Sequence, residues 1–380
     1  MRLLSTTRLI FGLAAFVAAH PAFAQVTMQS GRLALTVEGY ANLTTDLADG
    51  SSRAERREVD GLREDLAIRA LGQIKLENGP DIGVRIVAES APEDRFDLAE
   101  ASILLSGSHG RLELGERQGL PDVLTGYAPN NFAFTGAEYG PASGPSLDPG
   151  GGLQHAFLPA VLAGELNELS TLGAFASLAG DRSAKIVYVS PKRGGFLGGL
   201  SYSPDSDDPR FGALAQGGLV HERYWDSNIL RLGGSITYAQ PRGVEAATRR
   251  ELHSLNVGAT LILDDDLMLG ISATWNGSSG IEKFSGSSAS DARGFTTSIN
   301  YNRGPWTVGG YLQWASAEGD VRRAGDDRLA AAEGGVSYRF TKKLRLYAAL
   351  YHFNFHDEGG QTAADRKSGN EVLFGVRATL

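Results

Sequence analysis

The chain has 380 residues, a formal net charge of −8 and no cysteine. An acidic chain with scattered arginines is not typical of a nucleic-acid-binding protein, and the lack of cysteine excludes disulfide bonds and thiolate metal sites. Beyond the N-terminus, no stretch is apolar over the about 20 residues that a membrane-spanning helix needs.

The N-terminus has the three parts of a secretory signal peptide. Two arginines accompany an apolar stretch (Leu9–Ala19), and the small-x-small sequence AFA ends at Ala24. This pattern predicts that residues 1–24 are a signal peptide that is removed on export. The remaining residues, 25–380, have a uniform pattern and are predicted to form a single domain.

Apolar and polar residues alternate through most of the mature chain. Between Glu64 and Glu77 the even positions are apolar or small and the odd positions are mostly polar. Because successive side chains of a strand point to opposite faces, this period predicts β-strands with one dry and one wet face. About sixteen segments show it, and many have the about 10 residues that a tilted strand needs to cross a bilayer. The predicted strands are 32–42, 64–77, 81–90, 95–106, 110–117, 183–190, 195–203, 211–223, 227–239, 251–263, 267–276, 292–302, 305–316, 331–340, 344–354 and 371–380.

The connections between these segments alternate between short turns and longer loops. In an up-and-down barrel of the outer membrane, the short turns face the periplasm and the long loops face outward. Aromatic residues also collect near the predicted strand ends, where the membrane–water interface favours them. The sequence therefore predicts an all-β fold, a transmembrane antiparallel up-and-down β-barrel with both chain ends on the short-turn side. A water-soluble β-sandwich would have no reason to alternate in this way.

The longest connection, residues 118–182, has an unusual composition. Gln118–Asp181 contains no Lys and no Arg, and it is rich in Gly and Pro, yet it carries several aromatic residues. We expect this third long loop to fold into the lumen and constrict it, since long loops in compact proteins are usually functional. The alternative is a surface loop with its own small apolar cluster. The acidic residues expected at the constriction are Glu138, Asp148, Glu165 and Glu168.

Basic residues mark the polar face of the strands before this loop. Strand parity places Arg69, Lys75 and Arg85 on that face, and Arg111 lies close by in sequence. Acidic residues on the loop, opposite basic residues on the wall, would create an electric field across the pore. Such a field would sort solutes by polarity and size. Because Gln118–Asp181 carries negative charges and no Lys or Arg, we expect a mild preference for cations.

The block from Glu64 to Arg117 resembles the trimeric general porins of Gram-negative outer membranes. LLSGSHGRLELGER, which ends at Arg117, is similar to the motif that closes the family's strands two to five, and YVSP followed by GF, ending at Phe196, is similar to the strand after the third loop. The chain departs from the family at His109, where Phe or Tyr is usual, and at Leu380, where Phe is usual.

This resemblance implies a homotrimer of 16-stranded barrels in the cell outer membrane, in contact with outer-membrane lipid and lipopolysaccharide. It also implies passive diffusion of small hydrophilic solutes and ions, with the third loop at the constriction.

The mature chain contains no motif that indicates an enzyme, a cofactor or a metal site, so we predict none of these. Two alternative functions stay open. A substrate-selective channel for sugars or anions would have a line of aromatic residues or a dense row of arginines in its lumen. A lipase-type barrel enzyme would need a Ser–His pair, for which His253 beside Ser254 is a loose match.

Overall fold

The computed structural model describes residues 25–50, 63–77, 79–91, 95–120, 181–264, 266–277, 292–318, 326–356 and 366–379. Within these ranges the chain forms 17 β-strands and one short helix, α1 (Glu245–Thr248). In the part of the chain that is described, no helix has the length and apolar character to cross a membrane. The strands are β1 (Gln25–Ser30), β2 (Leu33–Gly50), β3 (Arg63–Ile74), β4 (Asp81–Ala91), β5 (Arg95–Gly107), β6 (Gly110–Glu116), β7 (Ala184–Val189), β8 (Phe196–Ser203), β9 (Phe211–Trp225), β10 (Asn228–Pro241), β11 (Leu252–Leu263), β12 (Leu267–Gly277), β13 (Ala292–Arg303), β14 (Trp306–Glu318), β15 (Asp326–Arg339), β16 (Leu344–His356) and β17 (Arg366–Thr379).

Sixteen of these strands close into a barrel. Each strand from β2 to β17 pairs antiparallel with the next one along the chain, and β17 pairs with β2. Closure leaves no open sheet edge, so the backbone N–H and C=O groups of the wall can pair with neighbouring strands, as a hydrocarbon environment requires. The predicted 16-stranded up-and-down barrel is confirmed.

The first and the last described strands, β1 and β17, meet along strand β2. Both β1 and β17 pair with the same edge of β2, with Gln25 opposite Glu38 and Thr379 opposite Tyr40. Strand β1 therefore continues the line of β17 toward the short-turn side. Alternation alone does not indicate β1, because its six residues contain only two apolar positions, Val26 and Met28.

All sixteen predicted segments are strands, but several are longer than the alternation indicated. Strand β2 reaches Gly50, β15 begins at Asp326 and β17 begins at Arg366. These extensions lie at the long-loop ends, where Glu318 pairs with Asp326 and His356 pairs with Arg366. Backbone pairing continues there beyond the apolar band, so side-chain alternation does not reveal it.

The two faces of the wall follow the predicted parity. On β4, Val84 and Ile86 point outward with 49% and 46% of their surface exposed, whereas Arg85 between them is only 3% exposed and faces the lumen. On β14, Val308 and Leu312 point outward. The outer face is thus an apolar surface for lipid, and the inner face carries the polar and charged groups.

We predict that Val308→Arg impairs assembly of the barrel. Val308 lies in the outward-facing apolar band, where an arginine near the bilayer midplane costs about 2–4 kcal/mol. Thr274→Arg is the matched control, because Thr274 lies on the inner face, where its Oγ1 donates a hydrogen bond to Asn256 Oδ1 at 2.6 Å. The yield of folded barrel, read from heat-dependent gel mobility, should fall only for the first variant. Equal losses in both would mean that the two faces are wrongly assigned.

Candidate functional site

A network of ion pairs lies on the inner wall of β4, β5 and β6. The buried carboxylate of Glu113 accepts a hydrogen bond from Arg117 Nε at 2.8 Å and forms ion pairs with Arg111 Nε at 2.7 Å and Arg85 Nη1 at 3.6 Å. Arg117 Nη1 also reaches both carboxylate oxygens of Glu100, each at 2.8 Å. Three guanidinium groups and two carboxylates leave this network with a formal charge of +1.

Neighbouring strands bring these charges together. Glu113 is opposite Leu104 across β5 and β6, and Arg85 is opposite Ser102 across β4 and β5. Because the directly opposing residues are uncharged, the long arginine side chains reach diagonally to the carboxylates. The guanidinium group suits this role, since it stays charged and its planar fork matches a carboxylate.

A second ion pair extends the charged wall to β2 and β3. Arg69 Nε lies 2.6 Å from Glu38 Oε1, and the two residues are directly opposite each other. Removing one partner of such a poorly exposed pair leaves the other charge uncompensated, which costs about 3–5 kcal/mol when the pair is fully buried.

The structure brings three of the four predicted wall residues together. Arg69, Arg85 and Arg111 lie on the inner face within the ion pairs described above. Lys75 lies apart from them, because β3 ends at Ile74 and the lysine is exposed in the following turn. The four predicted loop carboxylates lie outside the described residues: Glu138, Asp148, Glu165 and Glu168.

Sequence reasoning missed the acidic residues of the wall itself. Glu113 lies two positions from Arg111 on the same strand, and Glu38 lies on the alternating strand β2. Alternation alone could therefore have placed both side chains on the inner face. Glu100 is different, because the pairing of β4 with β5 shifts register between Val87 and Ala88. This β-bulge changes which positions of β5 face inward, and simple parity could not place Glu100.

The first residues of the long loop turn onto the inner wall. The Leu120 N–H donates a hydrogen bond to Gln216 Oε1 at 3.2 Å, and the Leu120 side chain is fully buried. It packs against the inward-facing Val187, Val189 and Val220 of β7 and β9. The chain thus leaves β6 and crosses the inner surface of the next strands.

The chain returns to the wall at a buried aspartate. Asp181 Oδ1 lies 2.8 Å from Lys185 Nζ, while Asp181 Oδ2 accepts hydrogen bonds from Ser206 Oγ at 2.5 Å and the Asp207 N–H at 2.8 Å. Burial would raise the pKa of Asp181, but the Lys185 ammonium and the hydrogen bonds outweigh it and hold that pKa below its usual value. The carboxylate therefore stabilises this end of the loop above its unfolded pKa of about 4, and the stabilisation is lost as the pH falls through the lower folded value.

The opposite wall is uncharged. Along the inner faces of β11, β12 and β13, the described residues are hydroxyl, amide or apolar side chains and glycines. The buried polar members are Ser254, Thr260, Ser272, Asn276 and Ser298. These three strands therefore present a neutral polar surface across the lumen from the ion pairs of β2 to β6, and the difference between the two surfaces produces a field across the pore.

Solved structures with this fold include porins and other outer-membrane proteins. The barrel matches the anion-selective porin from Comamonas acidovorans with a TM-score of 0.62 and 17% identity, over 92% of this chain and 100% of that one. It matches OmpF of Salmonella typhi, solved with daunomycin, with a TM-score of 0.63 and 11% identity, over 93% and 100%. It matches the trimer form of OmpT, an outer membrane protein of Vibrio cholerae, with a TM-score of 0.57 and 12% identity, over 91% and 99%. At these identities the likeness is one of fold.

Sequence comparison identifies the family. A search of curated protein sequences finds no significant match. The sequence model of the Gram-negative porins, in contrast, matches residues 12–358, which is most of the chain. Together with the closed barrel and its charged lumen, this match shows that the chain belongs to the Gram-negative porin family and is an outer-membrane porin channel.

Proposed function

We propose that this porin is a general diffusion channel, narrowed by residues 118–182, for small hydrophilic solutes and ions. The observation that carries the proposal is the burial of Leu120 on the inner faces of β7 and β9. A loop that stayed outside the barrel would have no reason to begin with an apolar side chain anchored inside the lumen.

The other end of the loop supports the same path. Arg182 Nη2 forms an ion pair with Glu89 Oε2 at 2.7 Å, and the Arg182 N–H donates to Asp207 Oδ2 at 2.7 Å. Strands β6 and β7 also pair directly, with Glu116 opposite Ala184, so the wall is continuous without the loop. The barrel therefore holds both described ends of the loop on its inner surface, which supports a path of the loop through the lumen.

Electrostatic interactions in the lumen would select among solutes by charge and polarity. The described wall of β2 to β6 carries arginines that its own carboxylates largely neutralise. The loop sequence Gln118–Asp181, in contrast, contains acidic residues and no Lys or Arg. A polar solute aligns with the field between them, and an apolar solute loses ordered water there. The surplus of acid on the loop would give the mild preference for cations that the sequence predicts.

The export and assembly of the chain also belong to the proposal. The charged start, apolar stretch and small-x-small sequence of residues 1–24 support their removal as a signal peptide. A neighbour of the same fold, OmpT of Vibrio cholerae, is described in a trimer form. We infer a homotrimer surrounded by outer-membrane lipid and lipopolysaccharide.

The geometry does not favour the lipase-type alternative. His253 is exposed on the outer face, where its Nε2 lies 3.7 Å from Glu251 Oε2. Ser254, the next residue, is buried on the inner face. Adjacent strand residues point to opposite faces, so this serine and histidine do not form a catalytic pair. We therefore propose a channel without enzyme activity, and a lipid hydrolysis assay on the purified protein tests this part.

We predict that Leu120→Ala loosens the loop but not the barrel. Replacing a buried leucine by alanine typically costs about 2–5 kcal/mol, and here that loss falls on the loop anchor rather than on the strand ladder. Single-channel recordings should show greater open-channel noise and a higher mean conductance, with the melting temperature of the barrel nearly unchanged. Leu219→Ala is the control, because Leu219 points outward from the same strand as Val220. Identical recordings for both variants would contradict a lumenal anchor.

We also predict that deleting residues 128–152 enlarges the conductance. The deletion shortens the loop that is proposed to narrow the lumen, and it leaves the pairing of β6 with β7 intact. Circular dichroism should still report a nearly all-β protein. A folded barrel with unchanged conductance would place the loop outside the lumen and overturn the proposal.

A third prediction concerns ion selectivity. Replacing Arg69 and Arg85 together by Gln should raise the preference for cations, and replacing Glu138 by Gln with Asp148 by Asn should lower it. Both shifts should shrink at high salt, because the Debye length falls from about 10 Å at 0.1 M to about 3 Å at 1 M. Reversal potentials across a salt gradient measure this. Arg223→Gln, which removes one positive charge from the exposed outer face of β9, should have no effect. Shifts of the opposite sign in both double variants would show that these groups do not share the narrow zone.

A further inference from the structure

A row of outward-facing side chains crosses β13 to β16 near the short-turn ends of these strands. Arg303 is directly opposite Trp306. Tyr338 is directly opposite Trp306 on one side and Leu346 on the other. Trp306 and Leu346 are exposed on the lipid face, and Arg303 is also exposed. Because neighbouring strands lie about 4.8 Å apart, the row spans about 14 Å of the outer surface.

The two aromatic rings of the row mark one border of the apolar band. The ring centres of Trp306 and Tyr338 lie 4.6 Å apart. Such rings favour the membrane–water interface, where the apolar body contacts lipid and the polar atom reaches the headgroups. The short turns of these barrels face the periplasm, so the row lies at the level of the headgroups of the periplasmic leaflet.

Basic residues extend from the row into the turn between β15 and β16. In this turn Lys342 is exposed and Lys343 is half-buried. Together with Arg303 they form a basic patch of three positive charges, and residues 303–305 and 340–343 contain no Asp or Glu. None of the three basic side chains forms an ion pair with another described residue. The basic patch therefore presents positive charge where lipid headgroups lie.

Hydrogen bonds fix the two turns of the basic patch relative to each other. Arg339 Nη2 donates to the Gly304 carbonyl at 3.0 Å, and the Arg339 N–H donates to the Pro305 carbonyl at 2.8 Å. Within the second turn, the Lys343 N–H donates to Thr341 Oγ1 at 3.1 Å. The basic side chains thus project from a hydrogen-bonded backbone.

The neighbouring turns confine the basic patch to one side of the barrel. Asp226 lies in the turn between β9 and β10, and Asp264 and Asp266 lie in the turn between β11 and β12. The Asp266 carbonyl accepts a hydrogen bond from the Asn302 N–H at 2.7 Å, so this acidic turn is next to Arg303. The positive charge of the patch is therefore local.

A depression of about 650 Å³ lies on the lipid face of β10 to β14, farther from the short turns than the row. Its lining includes Ile299 and Gly310, which are directly opposite each other, and the exposed Leu312. Ile299 is four residues from Arg303 on β13, which corresponds to about 14 Å along the strand. One leaflet of the hydrocarbon core is about 15 Å deep. A lipid with its headgroup at Arg303 would therefore have an acyl chain over this depression.

We propose that the basic patch, together with Trp306 and Tyr338, is a binding site for an anionic phospholipid of the periplasmic leaflet. The guanidinium and ammonium groups bind the phosphate, the two rings contact the glycerol region, and an acyl chain lies in the depression. This inference rests on the proposed lipid environment of the barrel and deepens it by naming one lipid class and its site. It does not depend on conduction, because the site lies on the outer face.

Brominated phosphatidylglycerol is the probe for this proposal, because bromine on the acyl chains quenches tryptophan fluorescence at short range. The barrel is reconstituted in phosphatidylcholine with a rising fraction of the brominated lipid, and the signal of Trp306 is obtained by subtracting that of the Trp306→Phe variant. Brominated phosphatidylglycerol should quench Trp306 at a lower fraction than brominated phosphatidylcholine. The double variant Arg303→Gln with Lys342→Gln should reduce this preference about tenfold or more, because each basic residue near an anionic surface contributes a factor of about five.

The matched control is Arg193→Gln with Arg223→Gln. It removes two exposed positive charges near the same end of the barrel, in the turn between β7 and β8 and on the outer face of β9. The control should leave the quenching of Trp306 unchanged. Arg303→Lys keeps the charge and should keep most of the preference, and heat-dependent gel mobility checks that each variant is folded.

The site fails on either of two results. Equal quenching of the unchanged protein by the two brominated lipids would overturn it, and this comparison needs no variant. An equal loss of preference in the control would also overturn it, since a diffuse surface potential would then explain the effect.

Conductance separates this site from the proposed function. The double variant should conduct like the unchanged protein, because Arg303 and Lys342 lie outside the lumen. A protein that prefers phosphatidylglycerol in this way but does not conduct would support the site and overturn the diffusion channel. A conducting channel without the preference would overturn the site alone.

Discussion

The structure depends on one constraint, which is that a polypeptide wall within a bilayer must pair its own backbone groups. A closed antiparallel barrel meets this requirement because every strand has two neighbours. In this chain the closure is completed by β17 on one part of β2 and by β1 on the next part of the same edge. Once the wall is closed, the period of two divides every strand into a face for lipid and a face for the lumen.

That division explains why the lumen can be so highly charged. Charges such as Arg85 and Glu113 would be very costly on the lipid face, but on the inner face they pair with each other and border water. Their pairing also limits their effect on passing ions. The network on β4 to β6 retains a formal charge of only +1. It therefore creates a local electric field but contributes little to the net charge of the lumen.

The inner wall both holds the ends of the long loop and aligns charged side chains of neighbouring strands. The loop is attached by apolar packing at Leu120 and by a buried carboxylate at Asp181, which hold its two ends on the inner surface. On β15 to β17, strand register places Arg345 directly between Arg339 and Arg377. One part of the wall thus supports the loop through side-chain contacts, and another part aligns like charges through strand register.

The sequence alone determined the barrel, its sixteen strands and the outward or inward direction of most residues, since these follow from alternation that each strand carries locally. It also placed Arg69 and Arg85 correctly on the inner face, although their role at a constriction stays a prediction. It missed Glu100, because a β-bulge in β5 shifts the parity, and it placed Lys75 on a strand that ends one residue earlier. Only the tertiary structure could decide the pairing of Arg117 with Glu100, the packing of Leu120 against Val220, and the alignment of Arg339, Arg345 and Arg377. These contacts depend on the register between strands and on where a loop crosses the wall, and both are set by the closure of the whole sheet rather than by any single segment.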